Sequence, residues 1–218
     1  MFRGGVILAR GDPGRGWSWR GGRRSSVAGV IDFCCYGGVP RPTRAELDAA
    51  KNRTIPDVIG VDPTVLFCGI NPSLYSGATG HHFARPGNRF WPALWRSGFT
   101  PRLLRPEEQG LLPGFGLGVT NLVRRATARA DELTDDELKA GGQRLREVVA
   151  ACAPLVVAVV GVTAYRAAFA TPKAVIGAQP ELFESARVWV LPNPSGLNAH
   201  YQLDSLAAEF RALRESLG

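Results

Sequence analysis

Val65-Leu66-Phe67-Cys68-Gly69-Ile70-Asn71-Pro72-Ser73 (VLFCGINPS, residues 65–73) decides how the rest of the chain is read. Its first six residues are apolar or small on consecutive positions, and Asn-Pro then ends any regular structure. A short run of this kind is a strand covered on both faces, as in a parallel sheet. Gly118 to Val123, Leu155 to Val160 and Val188 to Leu191 repeat the pattern. Helical patterns lie between them, near Asn88 to Ser97, Thr134 to Cys152 and Thr163 to Ala170, and Gln202 to Leu217 follows the last strand. Thr134 with Glu137 forms a capping box, with acids at the positive end of the helix dipole. In the last helix Leu203, Leu206, Ala207, Phe210, Leu213 and Leu217 make one apolar stripe, and Phe90, Trp91, Leu94 and Trp95 have core-facing spacing. Alternating strands and helices predict an α/β fold, a three-layer α/β/α sandwich around a mainly parallel sheet of four or five strands.

Ahead of this pattern the composition differs. The 218 residues carry a formal charge of +7, yet from Pro63 onward there are 16 basic and 13 acidic residues, a surplus of only three. Six Arg (Arg3, Arg10, Arg15, Arg20, Arg23, Arg24) and eight Gly fall within the first 31 residues. Residues 1–60 therefore read as a Gly/Arg-rich leader with a short linking helix near Thr43 to Asn52, opened by a Thr43/Glu46 capping box. Residues 61–218 read as the folded domain. A basic surplus favours a polyanionic partner, but one held mainly in a leader says little about the domain.

Composition also excludes several classes. At 45% hydrophobic and 21% charged the chain is of ordinary globular type. Its longest apolar runs fall well short of the roughly 20 residues that cross a bilayer, so no membrane span is expected. Cys34, Cys35, Cys68 and Cys152 have no Cys-x-x-Cys spacing, which points to reduced thiols in a cytoplasmic protein without a metal or iron–sulfur framework.

In open parallel sheets ligands bind beyond the carboxyl ends of the strands. That rule selects two loops, Gly69 to Trp91 and Leu191 to Tyr201. The first contains no Asp or Glu, so it lacks the paired acids of a glycoside hydrolase, the carboxylates of a two-metal nuclease and a phosphate-cradling Gly-Lys-Ser/Thr loop. It offers Asn71, His81, His82 and Phe83 instead. A carboxamide cannot act as a base at neutral pH, but its carbonyl can orient water beside an aromatic that stacks on a planar ligand. In the second loop Leu197 sits among Asn193, Ser195, Gly196 and Asn198, either folded back into the core or held out as a wedge for stacked bases.

Taken together, GINPS (69–73), GHHFARPGNRFW (80–91), VTNLVRRAT (119–127) and VLPNPSGLN (190–198) closely resemble the mismatch-specific uracil/thymine-DNA glycosylases of the uracil-DNA glycosylase superfamily. The resemblance runs from about residue 63 to the C-terminus and does not reach the leader. It implies the same sandwich fold and hydrolysis of the N-glycosidic bond of uracil, or of thymine, mispaired with guanine in duplex DNA. The base is flipped out of the stack, the strand is left uncut at an abasic site, and no metal or other cofactor takes part. A monomer acting on double-stranded DNA, associated with the nucleoid, is expected.

Carried over by motif, Asn71 holds the attacking water, with His82 assisting the water or a phosphate. Phe83 stacks on the base, and backbone around Gly69, Ile70 and Phe83 meets its edge. Ser76 sets the room for a 5-methyl group, and Asn121 reaches the pocket from the second strand. Asn193, Ser195, Gly196, Leu197 and Asn198 form the wedge loop on DNA, with Leu197 filling the gap and the Gly196 and Asn198 backbone meeting the widowed guanine. Arg89, Arg124 and Arg125 are implied phosphate contacts. Ser73 departs from the family's usual Gly, and His81-His82 resembles the thymine-processing branch, which leaves uracil against thymine open. A non-catalytic damage-binding module and a hypoxanthine or xanthine glycosylase are the alternatives.

Overall fold

The computed structural model describes residues 41–218. The Gly/Arg clusters of the leader and Cys34-Cys35 lie outside the described residues. Five strands, β1 (Val65–Gly69), β2 (Leu117–Asn121), β3 (Val156–Val160), β4 (Gly177–Phe183) and β5 (Ala186–Leu191), form one sheet in the order β2-β1-β3-β5-β4. All neighbours are parallel except the β4/β5 pair. Six α-helices accompany them: α1 (Arg44–Ala49), α2 (Leu74–Thr79), α3 (Phe90–Arg96), α4 (Asp135–Cys152), α5 (Val162–Phe169) and α6 (Leu203–Glu215). The predicted α/β sandwich and its strand number are therefore observed.

The sheet separates two cores by the two-residue period of a strand. Val65 and Phe67 of β1, with Val156, Ala158 and Val160 of β3, pack against Phe90 and Leu94 of α3 and Leu206, Phe210 and Leu213 of α6. Leu66, Cys68, Val157 and Val159 face the other way, onto Leu145 and Val149 of α4 and Tyr165 of α5. Consecutive apolar residues are needed because both faces are dry. In the first core Phe67 meets Phe90 and Phe99 edge-on, at 5.5 and 5.4 Å between centroids, and stacks on Phe210. Truncating so enclosed an aromatic costs about 3–5 kcal/mol.

Three expectations change. The segment following α1 is part of the domain rather than a linker: Ala50 and Ile55 are buried, Val58 bridges Val119, and Asp57 accepts from the Thr120 hydroxyl at 2.7 Å. The boundary at residue 60 is thus too late, because polar residues around this segment hid its few anchors. Trp95 is 42% exposed, since α3 ends one residue later and Ala93 takes the inner position. Strand β4 was not foreseen. It carries Pro180, alternates partly buried with exposed residues, and has an irregular register between Ala178 and Leu182, all tolerated at a sheet edge. Both capping boxes form, at Thr43/Glu46 and Thr134/Glu137. No helix among the described residues is long and apolar enough to cross a membrane.

Candidate active site

The chain leaves β1 for β2 on one side and β3 for β4 and then β5 on the other, so the connections diverge at the carboxyl ends of β1 and β3. A cavity of about 800 Å³ opens there. Ile70, Asn71, Ser76, His82, Phe83, Asn121, Asn193, Ser195, Leu197 and Asn198 all line it. Ten of the fifteen residues given a site role from the sequence are therefore brought together; Gly69, Gly196, Arg89, Arg124 and Arg125 lie outside the lining.

Asn71 is oriented by a segment that follows β2. Its Nδ2 donates to the Arg125 carbonyl at 3.0 Å and to Thr127 Oγ1 at 2.7 Å. Thr127 Oγ1 gives its own hydrogen to the Arg129 carbonyl at 2.7 Å, so it meets Asn71 as an acceptor. Both amide hydrogens of Asn71 are thereby used, and Oδ1 is left without a partner among the described residues. The Arg125 carbonyl is held in turn by its side chain, which forms a two-pronged pair with Glu137 at 2.5 and 3.0 Å. This hydrogen bonding keeps the Glu137 carboxyl down at about 2. The Arg125 guanidinium is thus engaged by Glu137, the Glu132 carbonyl and Asn52, and its expected role as a phosphate contact does not fit. Arg124 is exposed on the rim of a separate shallow groove.

A second relay orients Asn121. His82 is 1% exposed, with Nε2 at 2.9 Å from the Pro56 carbonyl and Nδ1 at 3.3 Å from Asn121 Nδ2. A carbonyl only accepts, so Nε2 carries the hydrogen and Nδ1 is the acceptor. Asn121 therefore presents its NH₂ to His82 and keeps Oδ1 for other partners. That oxygen lies over Gly69, where a Cβ would stand 2.5 Å from it and 3.1 Å from the Phe83 ring. Burial pushes the His82 imidazolium pKa down, outweighing the Pro56 contact. A neutral imidazole with both nitrogens engaged is a positioning group, which replaces the expected direct contact with water or phosphate.

Phe83 has φ +53°, a strained setting for a non-glycine residue. Its ring stacks on Phe90 at 4.0 Å and 17°, so one face is backed while the residue also lines the cavity. Ser76 is buried, accepting from the Ala84 amide at 3.3 Å and from Ser73 Oγ at 3.2 Å. Ser73 is the N-cap of α2, which is the physical use of the hydroxyl at that position. The single carboxylate in the lining, Asp131, is paired with Arg129. Among the described residues no cluster of His, Cys, Asp or Glu is arranged to hold a metal ion.

Leu197 is 76% exposed at the tip of its loop, which decides between core and surface. The loop is braced internally: Ser195 N–H donates to Asn193 Oδ1 at 3.0 Å, and Asn198 Nδ2 to the Asn193 carbonyl at 2.9 Å. Gly196 packs so tightly that a Cβ would sit 2.8 Å from the Gly87 carbonyl. Arg89 faces this loop from beneath and is not a free surface cation.

The model of the uracil DNA glycosylase superfamily matches residues 56–217. The chain belongs to that superfamily. The match starts within the segment that supplies the Pro56 carbonyl, in keeping with the earlier domain start. The fold is also similar to that of a candidate uracil DNA glycosylase from Methanosarcina acetivorans, determined by solution NMR, with TM-score 0.53 and 19% identity over 76% of this chain and 98% of that one. Membership in a superfamily of DNA glycosylases makes DNA the class of substrate. The residues of the site that sequence alone did not single out are Thr127 and Pro56, and Glu137 was read only as the capping partner of Thr134. Thr127 closes the VTNLVRRAT motif, a signal that was available, whereas Pro56 acts through its backbone and has no side-chain signature.

Proposed function

We propose that this chain is a monofunctional DNA glycosylase that releases uracil mispaired with guanine in duplex DNA, by base flipping and attack of a water held by Asn71. The observation that carries this reading is the oriented Asn71 amide, whose only unengaged group is a carbonyl oxygen at a cavity with a stacked aromatic and no free carboxylate. In this reading the flipped base lies on Phe83, and its imino N–H donates to Asn121 Oδ1. Cytosine has a lone pair where uracil has that hydrogen, so the partner of Asn121 is lost, at about 1–3 kcal/mol. Thymine shares the imino hydrogen and differs only at its methyl group, near Ser76.

As the C1′–N1 bond breaks, its electron pair leaves with the base and the sugar becomes oxocarbenium-like. Water on Asn71 Oδ1 then bonds to C1′, giving its proton to solvent or to the departing base. Since an amide cannot remove the proton in advance, bond breaking leads and turnover is slow. Fixed dipoles around the leaving base gain strength as it becomes anionic. Leu197 fills the vacated stack, and the protein works as a monomer with no metal or cofactor.

The test is release of free base from a labelled G·U duplex by the wild-type protein and by Asn71→Ala. Retained activity in Asn71→Ala removes the assigned role, and absence of release from any deaminated base removes the enzyme reading. Hypoxanthine and xanthine also present an imino N–H to Asn121 Oδ1, so both belong in the same substrate panel.

A further inference from the structure

The Arg89 guanidinium is tied to one loop by nearly every donor it has. Its NH2 group donates to the Ser195 carbonyl at 2.7 Å and to the Asn198 carbonyl at 2.9 Å. NH1 donates to the Tyr201 carbonyl and, at 3.4 Å, to Gln202 Oε1. Four terminal N–H bonds thus meet four acceptors, all between residues 195 and 202. The backbone adds a fifth contact, Arg89 N–H to the Pro194 carbonyl at 2.9 Å. Arg89 forms no ion pair among the described residues, so its charge is matched by neutral carbonyls alone. A side chain with its terminal donors consumed in this way has none left to grip a DNA phosphate, which corrects the expectation for Arg89.

We propose that Arg89 is a positioning residue that pre-organises the wedge loop for reading the base opposite the flipped nucleotide. This rests on the glycosylase reading for its biological use, though its physical core concerns the free protein. Three carbonyls drawn onto one planar cation fix the path of Ser195 to Tyr201 on both sides of Leu197, which is why that side chain can stand 76% exposed without folding back. Each such charge-assisted bond exceeds a neutral one, and a loop ordered before binding does not lose that freedom on DNA. A carbonyl has two lone pairs, so the Asn198 oxygen can accept from Arg89 and still accept from the donor edge of guanine. Adenine offers no such imino donor at the corresponding edge. Arg89 sits at the start of α3 in the motif that also supplies Phe83, so the base platform and the opposite-strand reader share one rigid mount.

The experiment uses Arg89→Ala and Arg89→Lys in the full chain, with two readouts that do not require catalysis. Hydrogen exchange of the free protein should show residues 195–202 exchanging at least tenfold faster in Arg89→Ala while the sheet amides are unchanged. Binding to duplexes holding an abasic-site analogue opposite guanine or adenine should show the guanine preference reduced about tenfold or more. Arg89→Lys should stay close to Arg89→Ala, since one ammonium cannot span the three carbonyls in a plane. Unchanged exchange in the loop overturns the proposal, as does faster exchange with an unchanged guanine-to-adenine ratio. A variant with faster exchange throughout the sheet has merely lost stability and also counts against it; the wild-type base-release assay reports separately on the glycosylase reading.

Discussion

The side-chain amide of Asn71 lies 2.7 Å from the Thr127 hydroxyl, which has already given its hydrogen to the Arg129 carbonyl. The contact therefore has a direction, and the direction sets which end of the Asn71 amide faces the cavity. Thr127→Val keeps the shape and removes the acceptor. Base release under single-turnover conditions should fall about 5- to 150-fold, the range for one buried hydrogen bond of about 1–3 kcal/mol, with little change in substrate affinity. Equal losses in Thr127→Val and Thr127→Ser would show that the hydroxyl is not what matters.

His82 gives a pH prediction. Burial holds its imidazolium pKa below the ordinary 6.5, so below pH 6.5 the unfolded chain binds more protons than the folded one. This group should make stability decline as pH falls below about 6.5, until the folded pKa is passed. His82→Gln removes that contribution, so the drop in melting temperature between pH 7.5 and pH 5.5 should be smaller in the variant. An identical pH dependence would mean that His82 is not buried neutral.

Asn121→Asp places a carboxylate against a ring nitrogen that now accepts. The charge should draw a proton onto Nδ1 and raise the His82 pKa, by about one unit or more for an opposite charge at this range. Histidine NMR titration measures this directly, and a shift of zero would argue that Asn121 does not lock the tautomer.

Leu197→Ala should leave the melting temperature nearly unchanged, because an exposed surface residue contributes within about 0.5 kcal/mol. Dissociation from abasic product should become faster, by about tenfold if a large apolar contact is lost. A lowered melting temperature with an unchanged off-rate would return Leu197 to a structural role.

Removal of residues 1–40 should reduce the salt dependence of DNA binding, since it takes away six Arg that would act through sequence-blind phosphate attraction. Base release should persist. Removal through residue 58 should instead abolish it, because Ile55, the Pro56 carbonyl and the Asp57 carboxylate go with it. If the longer deletion is fully active, the His82 relay is dispensable.

The sandwich was legible because runs such as Val65 to Gly69 need cover on both faces, a demand written in side chains alone. Asn71, Phe83 and Leu197 were legible through motif resemblance, and their convergence on one cavity follows from strand polarity. What stayed hidden acts through main-chain atoms or through the direction of a side chain. The Pro56 carbonyl has no residue-type signature. Arg89 looks from sequence like any other arginine beside DNA, and only its distances to three carbonyls turn it inward. Strand β4 was missed because Pro180 and its polar neighbours disguise an edge strand.

Both margins of the sheet are interrupted. At the β2 margin Val58 already occupies the ladder opposite Val119, and at the other margin β4 interrupts its own hydrogen bonding with Pro180 and a shifted register. A strand from a neighbouring molecule finds no straight, fully bonded border to continue. Edge-to-edge pairing of one sheet with another is thereby disfavoured, and the exposed Leu197 tip stands apart from any border that invites a strand.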